Sequence, residues 1–146
     1  MRRSEVEALA IGLMRQHGLE RWQFAFNRRK RSLGLCRYTL RRIELSSHFA
    51  LAHDEVEVRD VILHEIAHAL AGHAAAHGPR WKSICQTIGA RPERCSVARM
   101  PPGRWRATCP ACSDEFSRFR RPMRNRVYSC PKCGPANGKL SFRTNP

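Results

Sequence analysis

Two cysteine pairs constrain this chain more than any other feature. They are Cys109-Pro-Ala-Cys112 and Cys130-Pro-Lys-Cys133, with 17 residues between them. Each CxxC turn aims two thiolates at one point, and two such turns complete a tetrahedron around a zinc ion. Paired disulfides are the other reading of four cysteines, and they suit secreted chains. Here Met1-Arg2-Arg3-Ser4-Glu5 has basic residues but no apolar run behind them, so a secretory leader is not expected and the compartment reads as cytoplasmic. The segment from 104 to 146 is too short to fold on apolar burial alone, so the metal has to supply folding energy. It is read as a small β zinc ribbon, with a hairpin joining the two cysteine turns and Lys139-Leu140-Ser141-Phe142 adding a third strand. Of Phe116, Phe119 and Tyr128, at least two are expected in the ribbon's own core.

Charge separates the same segment from the rest. The 146 residues carry 27 Lys+Arg against 12 Asp+Glu, a net charge of +15. Residues 101–146 hold ten basic side chains against two acidic ones, a net +8 in the last third. Density of this kind marks contact with nucleic acid, because phosphate neutralisation releases counterions. Arg118, Arg120, Arg121, Arg124 and Arg126 are the candidate nucleic-acid contacts. No stretch approaches the roughly 20 apolar residues of a membrane span, so no membrane partner is expected.

Upstream of Met100-Pro101-Pro102-Gly103, a linker, the periodicity changes repeatedly. Ser4 and Glu7 make a capping box, and Val6, Leu9, Ala10, Leu13 and Met14 recur at helical spacing up to Gly18. Trp22 to Phe26 alternates as a strand, Leu33 to Thr39 is a second, and Arg41 to Leu45 a third with Arg42 and Glu44 on a solvated face. Ser46 and Ser47 start a short turn or helix reaching Ala52. Asp54 caps a long helix running to about Ala75, and Trp81, Ile84, Cys85 and Ile88 form a further helical stripe closed by Gly89. Cys36 and Cys85 read as buried small hydrophobes, while Cys95 has no assigned role. The fold class is α+β: helix, small antiparallel sheet, two helices, then the ribbon, in two domains at 1–100 and 104–146.

The long helix contains His64-Glu65-Ile66-Ala67-His68. Two histidines four residues apart lie roughly 40° apart around a helix, so both imidazoles reach one ion. Glu65 sits roughly 100° from His64, close enough to act as general base toward water at that ion. A catalytic zinc needs a third protein ligand and one open position. On a continuing helix His73 falls about 180° from His64, on the wrong face. His77 precedes Gly78-Pro79, where the chain has to turn, and a turn can return it to the metal. Ligand geometry therefore favours His77 over His73. Two zinc ions are expected, one catalytic on His64, His68 and His77, and one structural on Cys109, Cys112, Cys130 and Cys133.

His64-Glu65-Ile66-Ala67-His68 followed by His77-Gly78-Pro79-Arg80-Trp81-Lys82 resembles the SprT-like (SprT/Spartan-like) zinc metalloproteases. Leu33-Gly34-Leu35-Cys36-Arg37-Tyr38 with Ile43-Glu44-Leu45-Ser46 is similar to that family's strand pair before the catalytic helix, and the cysteine ribbon follows as in many bacterial members. The resemblance implies a zincin-like minimal metalloprotease domain, His77 as the third ligand, and protein substrates bound or crosslinked to single-stranded or damaged DNA. The expected function is a monomeric zinc-dependent metalloendopeptidase with Glu65 as its base, active in DNA-protein crosslink repair beside a DNA-holding ribbon. Tyr38 and Arg80 are candidates to stabilise the oxyanion. The alternative is a non-catalytic nucleic-acid-binding protein whose histidine-bound zinc is structural, a role that has no need of Glu65.

Overall fold

The computed structural model describes residues 1–94 and 98–144, which form two compact units, Met1–Pro101 and Pro102–Pro146. Cys95 lies outside the described residues.

In the first unit α1 spans Arg3–Gln16. It begins earlier than the Ser4 capping box predicts, because Glu5 rather than Glu7 reaches back, accepting from the Arg2 backbone N–H at 2.8 Å. Its apolar stripe, Val6, Ala10, Leu13 and Met14, is buried. Three strands follow, β1 (Gln23–Asn27), β2 (Gly34–Arg37) and β3 (Arg42–Ser46), in the spatial order β1-β3-β2. The tight turn between β2 and β3 makes them an antiparallel pair, but β1 runs parallel to β3. The expected all-antiparallel sheet is therefore a mixed one. The hairpin occupies one edge of β3, and β1 pairs with the edge that remains.

Register puts Phe24, Phe26, Gly34, Cys36, Ile43 and Leu45 on one face. Ile43 and Leu45 are fully buried there, against the helices. The opposite face is less solvated than the alternation of β3 predicts. Glu44 is buried, accepting from Asn27 Nδ2 and Arg37 Nε, both at 3.1 Å, with Arg42 beside it. A central strand has neighbours on both sides, and their side chains cover it.

Helix α2 (Ser47–Ala50) follows directly and buries Phe49. Helix α3 spans Glu55–Ala71, with the Asp54 side chain accepting from the Glu57 N–H as its N-cap. It ends at Gly72, whose φ of 87° suits glycine, about one turn before the Ala75 expected from the sequence. A 3-10 turn, His73–Ala75, leads to α4 (Pro79–Ile88), which Pro79 opens and left-handed Gly89 closes. Val58, Val61, Ile62, Ile66, Trp81 and Cys85 join the sheet and α1 in one core.

In the second unit β4 (Trp105–Thr108) pairs antiparallel with β5 (Glu115–Arg118) and with β6 (Arg143–Thr144). The hairpin thus closes around the first cysteine turn instead of joining the two. The third strand lies at 143–144, while Lys139 makes only an isolated bridge to Ser129. A one-turn helix, α5 (Gly134–Asn137), follows the second cysteine turn. The ribbon core is Ala107, Cys109, Cys130 and Leu140, with Phe116, Tyr128 and Phe142 packed on it. No helix among the described residues is long and apolar enough to cross a membrane.

Candidate active site

Helix α3 presents His64 and His68 one turn apart on its half-buried side. The early stop at Gly72 lets the chain fold back. Gly78 N–H bonds to the Ala75 carbonyl at 2.8 Å, and a Cβ on Gly78 would stand 2.9 Å from that oxygen. This tight return delivers His77. Its Nε2 lies 3.0 Å from Nε2 of His68 and 3.3 Å from Nε2 of His64. Ligands at 2.0–2.1 Å in a tetrahedron are about 3.3–3.4 Å apart, so the three nitrogens fit a single zinc ion. His73 does not join them, although the helix does break early. Its ring packs edge-on against Tyr38 at 5.2 Å.

Trp81 forms the floor of this cluster. Fully buried on α4, it lies with its ring centroid 4.7 Å from His64, 4.7 Å from His77 and 5.3 Å from His68, stacked on the last. Its place in an apolar helical stripe predicts burial, but not contact with all three imidazoles. Burial also sets the protonation of the ligands. Desolvation, and then the neighbouring imidazoles, push His64 and His68 from 6.5 down to about 4, and desolvation lowers His77 too. All three are therefore neutral and ready to ligate at neutral pH.

Glu65 is buried, and desolvation raises its carboxyl from 4.5 to about 8, partly opposed by a hydrogen bond from the Cys36 backbone N–H. Strand β2 runs alongside it. A cleft of about 630 Å³ opens between β2 and α3, lined by Gly34, Leu35, Cys36, Tyr38, His64, Glu65, His68 and His77. Lys30, Arg31, Arg94 and Arg99 line it too, so Glu65 is the only acid among the described residues of a cationic wall. Tyr38 is the oxyanion candidate that reaches this cleft, and burial holds its phenol protonated, at about 12. Arg80 is exposed and does not line it. Cys36 lines the cleft, but desolvation pushes its thiol up to about 12, so it is no nucleophile. Cys85 is buried in the core, its thiol raised to about 11 for the same reason.

The four ribbon cysteines form the second cluster, their sulfurs all within 4.8 Å of one another and Cys112 Sγ 3.7 Å from Cys130 Sγ. Four thiolates at 2.3 Å from one zinc stand about 3.8 Å apart, so this set fits as well. Backbone N–H groups of Cys112 and Ala111 lower the Cys109 thiol to about 7. Of the five candidate arginines, Arg120, Arg121, Arg124 and Arg126 are exposed. Arg118 is half-buried, its guanidinium 4.5 Å from the Tyr128 ring centroid and 5.9 Å from that of Phe142.

A histidine triad on a helix and the following turn, with a buried glutamate beside it, defines a domain of the metallopeptidase type, and such sites are zinc-associated. Residues 9–100 match the SprT-like family, and the chain belongs to it. No curated protein matches the chain.

Proposed function

We propose that this protein is a zinc-dependent metalloendopeptidase acting on proteins held on DNA, with the ribbon contributing the hold. The observation that carries the peptidase reading is the buried Glu65 beside three converging imidazole nitrogens. His64, His68 and His77 would hold the ion. A zinc ion there supplies Lewis-acid polarisation of the peptide carbonyl and of water. Glu65 takes the proton of the attacking water and passes it to the leaving amine. Its burial favours the protonated carboxyl that this transfer passes through. The Tyr38 hydroxyl, protonated throughout, is a donor for the developing oxyanion.

Support for a nucleic-acid setting comes from charge in both units. Lys30, Arg31, Arg94 and Arg99 line the cleft, and Arg120, Arg121, Arg124 and Arg126 stand exposed on the ribbon. Holding DNA-bound protein near the cleft raises its local concentration. In this reading the enzyme is a cytoplasmic monomer working beside DNA.

The test is cleavage of a DNA-bound protein by the zinc-loaded chain. Glu65→Gln is expected to keep its zinc and lose about 10²–10⁴-fold in kcat. Cleavage at the parent rate overturns the assignment. In the same assay, replacing Arg120, Arg121, Arg124 and Arg126 together by Ala is expected to weaken DNA binding and flatten its salt dependence, by roughly one unit of slope for each phosphate no longer neutralised. An unchanged slope removes the ribbon from the DNA reading.

A further inference from the structure

Gly34 has no conformational need to be glycine, since its φ lies outside the left-handed region. Its neighbours explain it instead. A Cβ built there would stand 2.7 Å from Oε1, 2.8 Å from Cγ and 3.1 Å from Cδ of Glu65, and these are its three nearest atoms. The clash reaches Cγ, in the middle of the side chain, so rotating the carboxylate alone does not relieve it. Two residues on, the Cys36 backbone N–H lowers the same carboxyl against the effect of burial. The pairing of β2 explains why that N–H is available. Ser46 N–H bonds to the Leu33 carbonyl, so the odd-numbered residues Leu33, Leu35 and Arg37 face β3. Gly34 and Cys36 alternate with them and turn their backbone groups away from β3, the Gly34 carbonyl accepting from Ser32 Oγ at 3.3 Å.

We propose that β2 is a cradle for Glu65, in which the missing side chain of Gly34 provides the space that holds the carboxylate beside the three imidazoles. Gly34 is a positioning residue in this scheme. It takes part in no step itself and acts only through Glu65, against which it packs. The role rests on the peptidase reading for its catalytic meaning, but the packing relation stands without it.

The experiment is a four-variant cycle on the full zinc-loaded chain: parent, Gly34→Ala, Glu65→Ala and the double variant. Gly34→Ala is expected to lower Tm by about 4 °C or more in the parent background. In the Glu65→Ala background it is expected to cost nothing, or to raise Tm slightly, since Ala restricts the unfolded chain more than Gly does. A Gly34→Ala chain that folds only in the double variant is the extreme of the same result. An equal Tm effect in both backgrounds, zero included, overturns the cradle. In the cleavage assay, Gly34→Ala is expected to lose roughly 100-fold in kcat with KM and zinc content near the parent's, as a displaced base would. An unchanged kcat also overturns it. If the parent itself cleaves nothing, the peptidase reading fails alone, and the Tm cycle still decides the cradle.

Discussion

The two units hold their metal-ligand clusters by opposite means. In the first, α1, β3, α3 and α4 bury a continuous apolar core, and His64, His68 and His77 sit half-exposed at its margin. In the second, Cys109 and Cys130 are themselves among the few fully buried side chains. The histidine cluster is a site placed on a fold, while the cysteine cluster is in part the core itself, with Cys109 and Cys130 buried, Cys133 half-buried and Cys112 exposed. A cluster at the margin of a core can leave one position open for a substrate. One that closes a core has its ligand positions taken by the chain.

Metal removal breaks the comparison most sharply. Chelation is expected to unfold residues 102–144, where a structural zinc is worth on the order of 10 kcal/mol, and to leave residues 1–94 folded. Amide signals of α1 and α3 persisting while those of β4 and β5 collapse is the outcome to look for. Loss of both sets together means that the first unit also depends on its metal. Next in size is Trp81→Ala, which removes both a fully buried core side chain and the floor under three imidazoles. It is expected to cost about 3–5 kcal/mol in denaturant unfolding and to weaken zinc binding at the histidines. Unimpaired zinc affinity in the folded variant confines Trp81 to the core.

The smallest effect is the pH dependence of the zinc-free first unit. His64 and His68 have folded values near 4 against 6.5 unfolded, so the unfolded state binds more protons between those limits. Stability is then expected to fall as pH drops from about 6.5 to about 4. Glu65 works in the other direction. Its folded value is raised from 4.5 to about 8, so it favours folding at low pH and loses that contribution as pH rises through this range. Glu65→Gln is therefore expected to gain on the parent in urea midpoint from pH 5 to pH 8. A constant gap between the two across that range contradicts a Glu65 carboxyl raised by burial.

How much of the site is legible without the fold differs from residue to residue. His64, Glu65 and His68 follow from helical spacing alone, because a regular helix fixes the angle between positions. His77 depends on the break at Gly78-Pro79, and the early stop at Gly72 shows why spacing is a weaker guide there. A single residue in a left-handed conformation redirects everything after it. Period-two alternation puts Glu44 on a solvated face, because alternation does not tell a central strand from an edge one. Gly34 carries a faint signal, an isolated glycine inside a strand pattern, which often marks a close approach. Nothing local identifies Glu65 as what approaches it.

The amino-acid sequence by itself determined which side chains gather in the two clusters, and that one unit is built on apolar burial and the other on cysteines. Those properties rest on residue chemistry and short-range spacing. Only the tertiary structure decided that β1 joins β3 in parallel, that Trp81 underlies the histidines, that cations line the cleft, and that β2 sets Gly34 against Glu65. Each of these is a meeting of segments distant along the chain, set by which edges and faces remain free once the local elements have formed.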